Sequence, residues 1–209
     1  ATPRPFPADG VTTPEERTWD AAVDVLNRSE IGREALRYAM EKGVGIRLSP
    51  GGPDWFNPPA GPIEMDANES PESIALTFVH ELQPARGAIE GTVPDIMTST
   101  RNDYVNGMIM DEVVGTVASI ESKLELVRAG VPITAAFPLE AEYVAAYNQA
   151  VADARAANPA ATPAELDQAG KAAGLARVVA GFHNGEVSAG NSGQTYPQYY
   201  GSSWDGNHP

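Results

Sequence analysis

Apolar residues recur at helical spacing along most of the chain, and capping signals mark where the helices begin. Thr13-Pro14-Glu15-Glu16 is a capping box with proline at the first helical position. It predicts a helix to about Asn27 with Trp19, Ala22, Val23 and Leu26 on one face. Ser29 caps a second helix to about Lys42, with Ile31, Ala35, Leu36 and Ala39 inward and Gly43 as its stop. Val44–Leu48 is short and β-branched and reads as a strand, and Ile63–Asp66 reads as a second. Between them, residues 49–61 are dense in proline and glycine and predict a loop carrying Trp55 and Phe56 as packing residues.

Ser70-Pro71-Glu72 starts a further helix through IALTFVHEL. Asn102 or Asp103 opens the longest one, which reaches Ala129 and stops at Gly130. Pro138 opens an alanine-rich helix to about Ala157. Thr162-Pro163-Ala164-Glu165 is a second capping box, for a helix to about Gly181, and these last two helices pair as a hairpin. Residues 1–12 carry three prolines and read as an extended arm. Residues 183–209 mix Gly, Ser and Asn with Tyr196, Tyr199, Tyr200 and Trp204. That many aromatics predict a tail packed on the helices as ordered coil. The fold expected is mainly α with a small β element (α+β): one helical domain over 13–182, with the arm before it and the tail after it.

Charge narrows the partners. The chain of 209 residues has 28 acidic against 14 basic side chains, a net charge of −14. Neutralising phosphate needs the opposite balance, so nonspecific nucleic-acid binding and docking on anionic membrane surfaces are not expected. No apolar run approaches a membrane span, so no insertion is expected. The partners left are protein or peptide, including further copies of the chain in an oligomer or larger assembly. Absence of cysteine removes disulfides, thiolate metal sites and cysteine nucleophiles. The sequence begins at Ala1 and reads as a processed product or a piece of something longer, secreted or part of an exported protein.

Any histidine chemistry must draw on His80, His183 and His208. His183 follows a helix end and reads as a capping cation, and His208 as a solvated tail residue. His80 lies in Val79-His80-Glu81-Leu82-Gln83-Pro84-Ala85. A zinc-peptidase helix reads His-Glu-x-x-His, because side chains at i and i+4 share a helix face and reach one metal. The glutamate beside the first histidine then takes a proton from metal-bound water.

The helix SIALTFVHELQPA, the long acidic helix after it and the tail TYPQYYGSSWD resemble zincin-type metallopeptidase domains of bacteria, over roughly residues 44–130 and the tail. The resemblance implies His80 as a metal ligand, Glu81 as the catalytic base, zinc as the cofactor, and Glu112 of the later helix as a further ligand, with Asp111 in reserve. Glu112 shares a face with Thr116 and Ser119, whereas Glu121 and Glu125 read as solvated-face charges.

Pro84 departs from the pattern, because it stands where the second histidine belongs and cannot ligate a metal. It also lacks an N–H and crowds the carbonyl of His80, which predicts that the helix kinks or ends at Gln83–Pro84. Zinc would be left with His80 and a carboxylate, and with little affinity. Whether the chain is an enzyme turns on this residue. The function implied is a degenerate zincin-like, metallopeptidase-related domain that serves as a non-catalytic binding or structural module. Two alternatives stand beside it: an active zinc metallopeptidase using His80, Glu112 and another ligand, and a structural subunit of an extracellular or particle assembly.

Overall fold

The computed structural model describes residues 13–56 and 61–208. The arm expected over residues 1–12 lies outside the described residues. The chain divides into two compact units, one of Ala1–Val93 with Val114–Ala135, the other of Pro94–Val113 with Ala136–Pro209. The fold is mainly α with a small β element, as the periodicity predicts.

In the first unit, α1 (Pro14–Leu26) and α2 (Glu30–Lys42) begin at the predicted caps Thr13 and Ser29, and α2 ends at Gly43 in the left-handed region, φ 67°. Three strands follow: β1 (Ile46–Ser49), β2 (Trp55–Phe56) and β3 (Ile63–Asp66). β3 is central, parallel to β1 with Ile46 opposite Ile63, and antiparallel to β2 with Phe56 opposite Ile63. Ile46, Leu48, Ile63 and Met65 alternate inward. Helix α3 (Pro71–Glu90) buries Ile74, Phe78, Val79 and Leu82, and Phe78 meets Trp19 of α1 edge-on at 5.2 Å between ring centroids. The unit is completed by the later part of α4 (Arg101–Arg128), whose Ile120 and Leu126 are fully buried.

Three expectations are corrected here. Trp55–Phe56 is a strand rather than part of a loop, since pairing with β3 supplies order that the proline-rich composition hides. Of the kink or end expected at Gln83–Pro84, the end is corrected: α3 runs on to Glu90, closed by Gly91. Its buried face continues past the proline through Ala85 and Gly87, and this packing outweighs the missing hydrogen bond. Glu125 is not a solvated charge. Its Oε2 accepts the N–H groups of Glu30 at 2.6 Å and Ile31 at 3.2 Å, at the positive end of α2.

The second unit holds the first turns of α4, α5 (Glu140–Ala157), α6 (Pro163–His183) and α7 (Tyr196–Asn207). α5 and α6 form the predicted hairpin. Its seam is made by aromatic rings seated on glycines: Tyr147 covers Gly170 and Tyr143 covers Gly174, so a Cβ at either glycine would collide with a ring. The tail is helix rather than coil over 196–207. Thr195 accepts the N–H of Gln198 and Gln198 returns the bond to Thr195, a third capping box with Pro197 inside the first turn. Among the described residues, no helix is long and apolar enough to cross a membrane.

Candidate functional site

The His-Glu pair sits on the middle turns of α3. Burial of Val79 and Leu82 on either side fixes the rotation of the helix and leaves His80 and Glu81 partly exposed, at 27% and 15% of their side chains. His80 Nε2 lies 4.0 Å from Glu81 Oε1. The imidazole rests against α4 at Gly115, where a Cβ would fall 3.2 Å from ring atoms Nδ1 and Cε1 and 3.1 Å from the His80 carbonyl oxygen. The helices approach this closely only because position 115 has no side chain. One turn further along α4, Ser119 Oγ donates to the carbonyl of Leu76 at 3.2 Å and ties the pair together again.

Glu81 reaches the sheet. The backbone N–H of Phe56 donates to Glu81 Oε2 at 3.0 Å, so the base position of the motif holds the edge strand β2 in place. Trp55, next to it, is half exposed. Carboxylates surround the adjoining turns: Asp66 Oδ1 accepts from the N–H of Gly51 and Asn68, and Asp54 Oδ1 from the N–H of Asp66. Burial, with the charges of Asp54 and Asp66 added, holds the Glu69 carboxyl above the usual carboxylate range.

Glu112 belongs to the second unit and is engaged there by the tail. The Tyr200 hydroxyl donates to Glu112 Oε1 at 2.6 Å. Tyr200 is buried, with Tyr104 and Tyr199 edge-on and Tyr196 tilted against it. Burial first, and then the Glu112 carboxylate beside it, push this phenol far above the ordinary tyrosine range, so it stays a donor. Asp111 adds to the same effect.

The other two histidines belong to the second unit. His183 is the exposed last residue of α6. His208 is not simply solvated: its ring stacks on Trp204 at 3.8 Å and its Nδ1 contacts the Trp204 carbonyl at 3.0 Å.

Position 84 offers no ligand atom, Glu81 takes a backbone N–H, and Glu112 takes a phenol. Among the described residues, no group of three or more His, Asp or Glu side chains is placed to hold one ion. Comparison with protein-family models, with curated proteins and with solved structures finds no match.

Sequence reasoning missed Phe56, Gly115 and Tyr200 as members of these groups. For Tyr200 a local signal exists in Thr195-Tyr196-Pro197-Gln198, which has the capping-box form and places Tyr200 inside a helix. Neither Phe56 nor Gly115 carries any signal of its own.

Proposed function

We propose that the chain is a zincin-like, metallopeptidase-related domain whose metal site is degenerate, serving as a non-catalytic module that binds protein or peptide. The observation that carries this reading is Pro84. It stands four residues after His80 within a continuous helix, on the face where a second imidazole would have to project. The helix has kept its length and packing while its ligand has gone. Glu81, tied to Phe56, serves the sheet edge rather than a metal-bound water. The half-exposed Trp55 offers a partner apolar contact beside β2. A net charge of −14 favours a basic partner.

Zinc titration by calorimetry, with casein digestion in parallel, tests this reading. The protein should bind zinc weakly and leave casein intact. Pro84→His should gain zinc affinity by more than about tenfold, since a restored ligand outweighs the outer-shell effects known to be of that size. No gain in the variant removes the zincin descent. Tight binding with cleavage by the unaltered protein makes it an active metallopeptidase through His80, Glu112 and another ligand. Sedimentation of the chain as a large assembly favours the structural-subunit reading instead.

A further inference from the structure

Helix α7 docks on the second unit through ring packing and side-chain bonds, and its Tyr196 lies against Phe182 of α6 at 4.8 Å between ring centroids. Of its residues only Tyr200 and Gly201 are buried. Three of its residues bond the early part of α4 or the turn just before it, while Ser202 Oγ accepts from Gln194 Nε2 at 3.4 Å in the stretch leading into the helix. Asp205 pairs with Arg101 at 2.8 and 3.0 Å, Trp204 Nε1 donates to the Ser99 carbonyl at 3.2 Å, and Tyr200 donates to Glu112 at 2.6 Å. The Arg101–Asp205 pair is exposed at both partners and so contributes little. The Tyr200–Glu112 bond is the short, part-buried and charge-assisted one, the kind roughly twice as strong as a neutral bond. The stretch leading into α7 contains Gly185, Gly190 and Gly193, all in the left-handed region, and one isolated bridge between Ser188 and Thr195.

We propose that Glu112 is the anchor of a C-terminal strap: the Tyr200 hydroxyl holds its carboxylate in place of a metal ion, and α7 stays docked through that bond. The metal half of this statement rests on the degenerate-site reading above, while the anchoring half stands on the geometry of the second unit. The carboxylate that the zincin pattern would give to zinc is thereby spent on securing the tail, and docking of α7 is independent of metal.

Hydrogen–deuterium exchange on the full chain tests this, reading the amides of α7 against those of α5 and α6. The proteins compared are the parent, Tyr200→Phe, Glu112→Ala and the double variant, each with EDTA and with excess zinc. Tyr200→Phe keeps the ring and its aromatic neighbours and removes only the donor. Each single variant should speed exchange in α7 about tenfold, and the double variant no further, because both remove one bond. EDTA and zinc should leave the parent's α7 unchanged. Unchanged α7 exchange in Tyr200→Phe overturns the anchor. An equal rise across α5 and α6 also overturns it, since the bond would then hold the whole unit and not a strap. Protection of the parent's α7 by zinc, or its loss in EDTA, returns Glu112 to the role of metal ligand. Zinc binding by Pro84→His is a separate measurement, so the strap and the zincin descent fail independently.

Discussion

His80 lies against the bare backbone of Gly115, with a Cβ at position 115 placed 3.1–3.2 Å from its carbonyl and ring. The contact decides the sign of a simple substitution. Alanine within a helix is favoured over glycine by up to about 1 kcal/mol, but overpacking a fitted interface costs about 1–3 kcal/mol. The neighbour that must yield includes backbone, so the second effect wins. Gly115→Ala should lower stability by about 1–2 kcal/mol in urea denaturation, and the nuclear magnetic resonance signals of the His80 ring should shift. An increase in stability would mean that α3 and α4 can part at no cost.

Pro84 withholds a hydrogen bond from the His80 carbonyl inside a helix that continues past it. Pro84→Ala restores the donor and loses little packing, since position 84 is only half-buried. The variant should be more stable by about 1–3 kcal/mol, a fraction of or up to the full helix-interior penalty of proline. Thermal and urea midpoints that fail to rise would show that the proline conformation is favoured by its surroundings.

Glu125 caps α2 from another helix, accepting two of its first N–H groups. Glu125→Ala leaves those donors to solvent and should cost about 1 kcal/mol, the size of a typical cap. The loss should shrink in high salt, because part of it is the attraction of the carboxylate to the helix dipole. Urea midpoints at low and high salt give both numbers.

Glu165 reports on pH. The backbone N–H and then the hydroxyl of Thr162 bond its carboxylate and hold it below the usual carboxylate range. A carboxyl whose folded pKa lies below its unfolded pKa adds stability above the unfolded value, and that stability is lost as pH falls through the folded value. The difference in thermal midpoint between the parent and Glu165→Ala should therefore be present at about pH 7 and decline on acidification below the ordinary glutamate pKa of about 4.3. A difference that grows in acid would reverse the sign of the argument.

How much of this could be read in the sequence depends on the distance between interacting residues. The caps at Thr13, Ser29, Ser70 and Thr162 were legible because donor and acceptor lie within one turn. The inward faces of α1 and α2 were legible for the same reason, through periodicity. The end of α3 was not, because Pro84 is a strong local stop and what overrides it is burial of Ala85 and Gly87 by other elements. β2 was hidden in a loop composition and exists through its partner strand and the Glu81 carboxylate. α7 did carry its capping box, but glycine and serine weighed against a helix. The Tyr200–Glu112 bond joins residues 88 apart, and no local pattern announces it. The His-Glu dipeptide drew attention through its chemistry, yet nothing near it pointed to Phe56 or Gly115.

That separation of 88 residues also sets an order of events during synthesis. At about 5–20 residues per second, Glu112 leaves the ribosome about 4–18 s before Tyr200 does. The α5–α6 hairpin lies wholly between them in the chain and is built from local contacts, which form in microseconds to milliseconds. Tyr143 and Tyr147 can therefore settle onto their glycines long before α7 exists. The segment 196–207 arrives at a hairpin already formed, with the carboxylate of Glu112 waiting for the phenol, so docking of α7 closes the second unit after its other helices are in place.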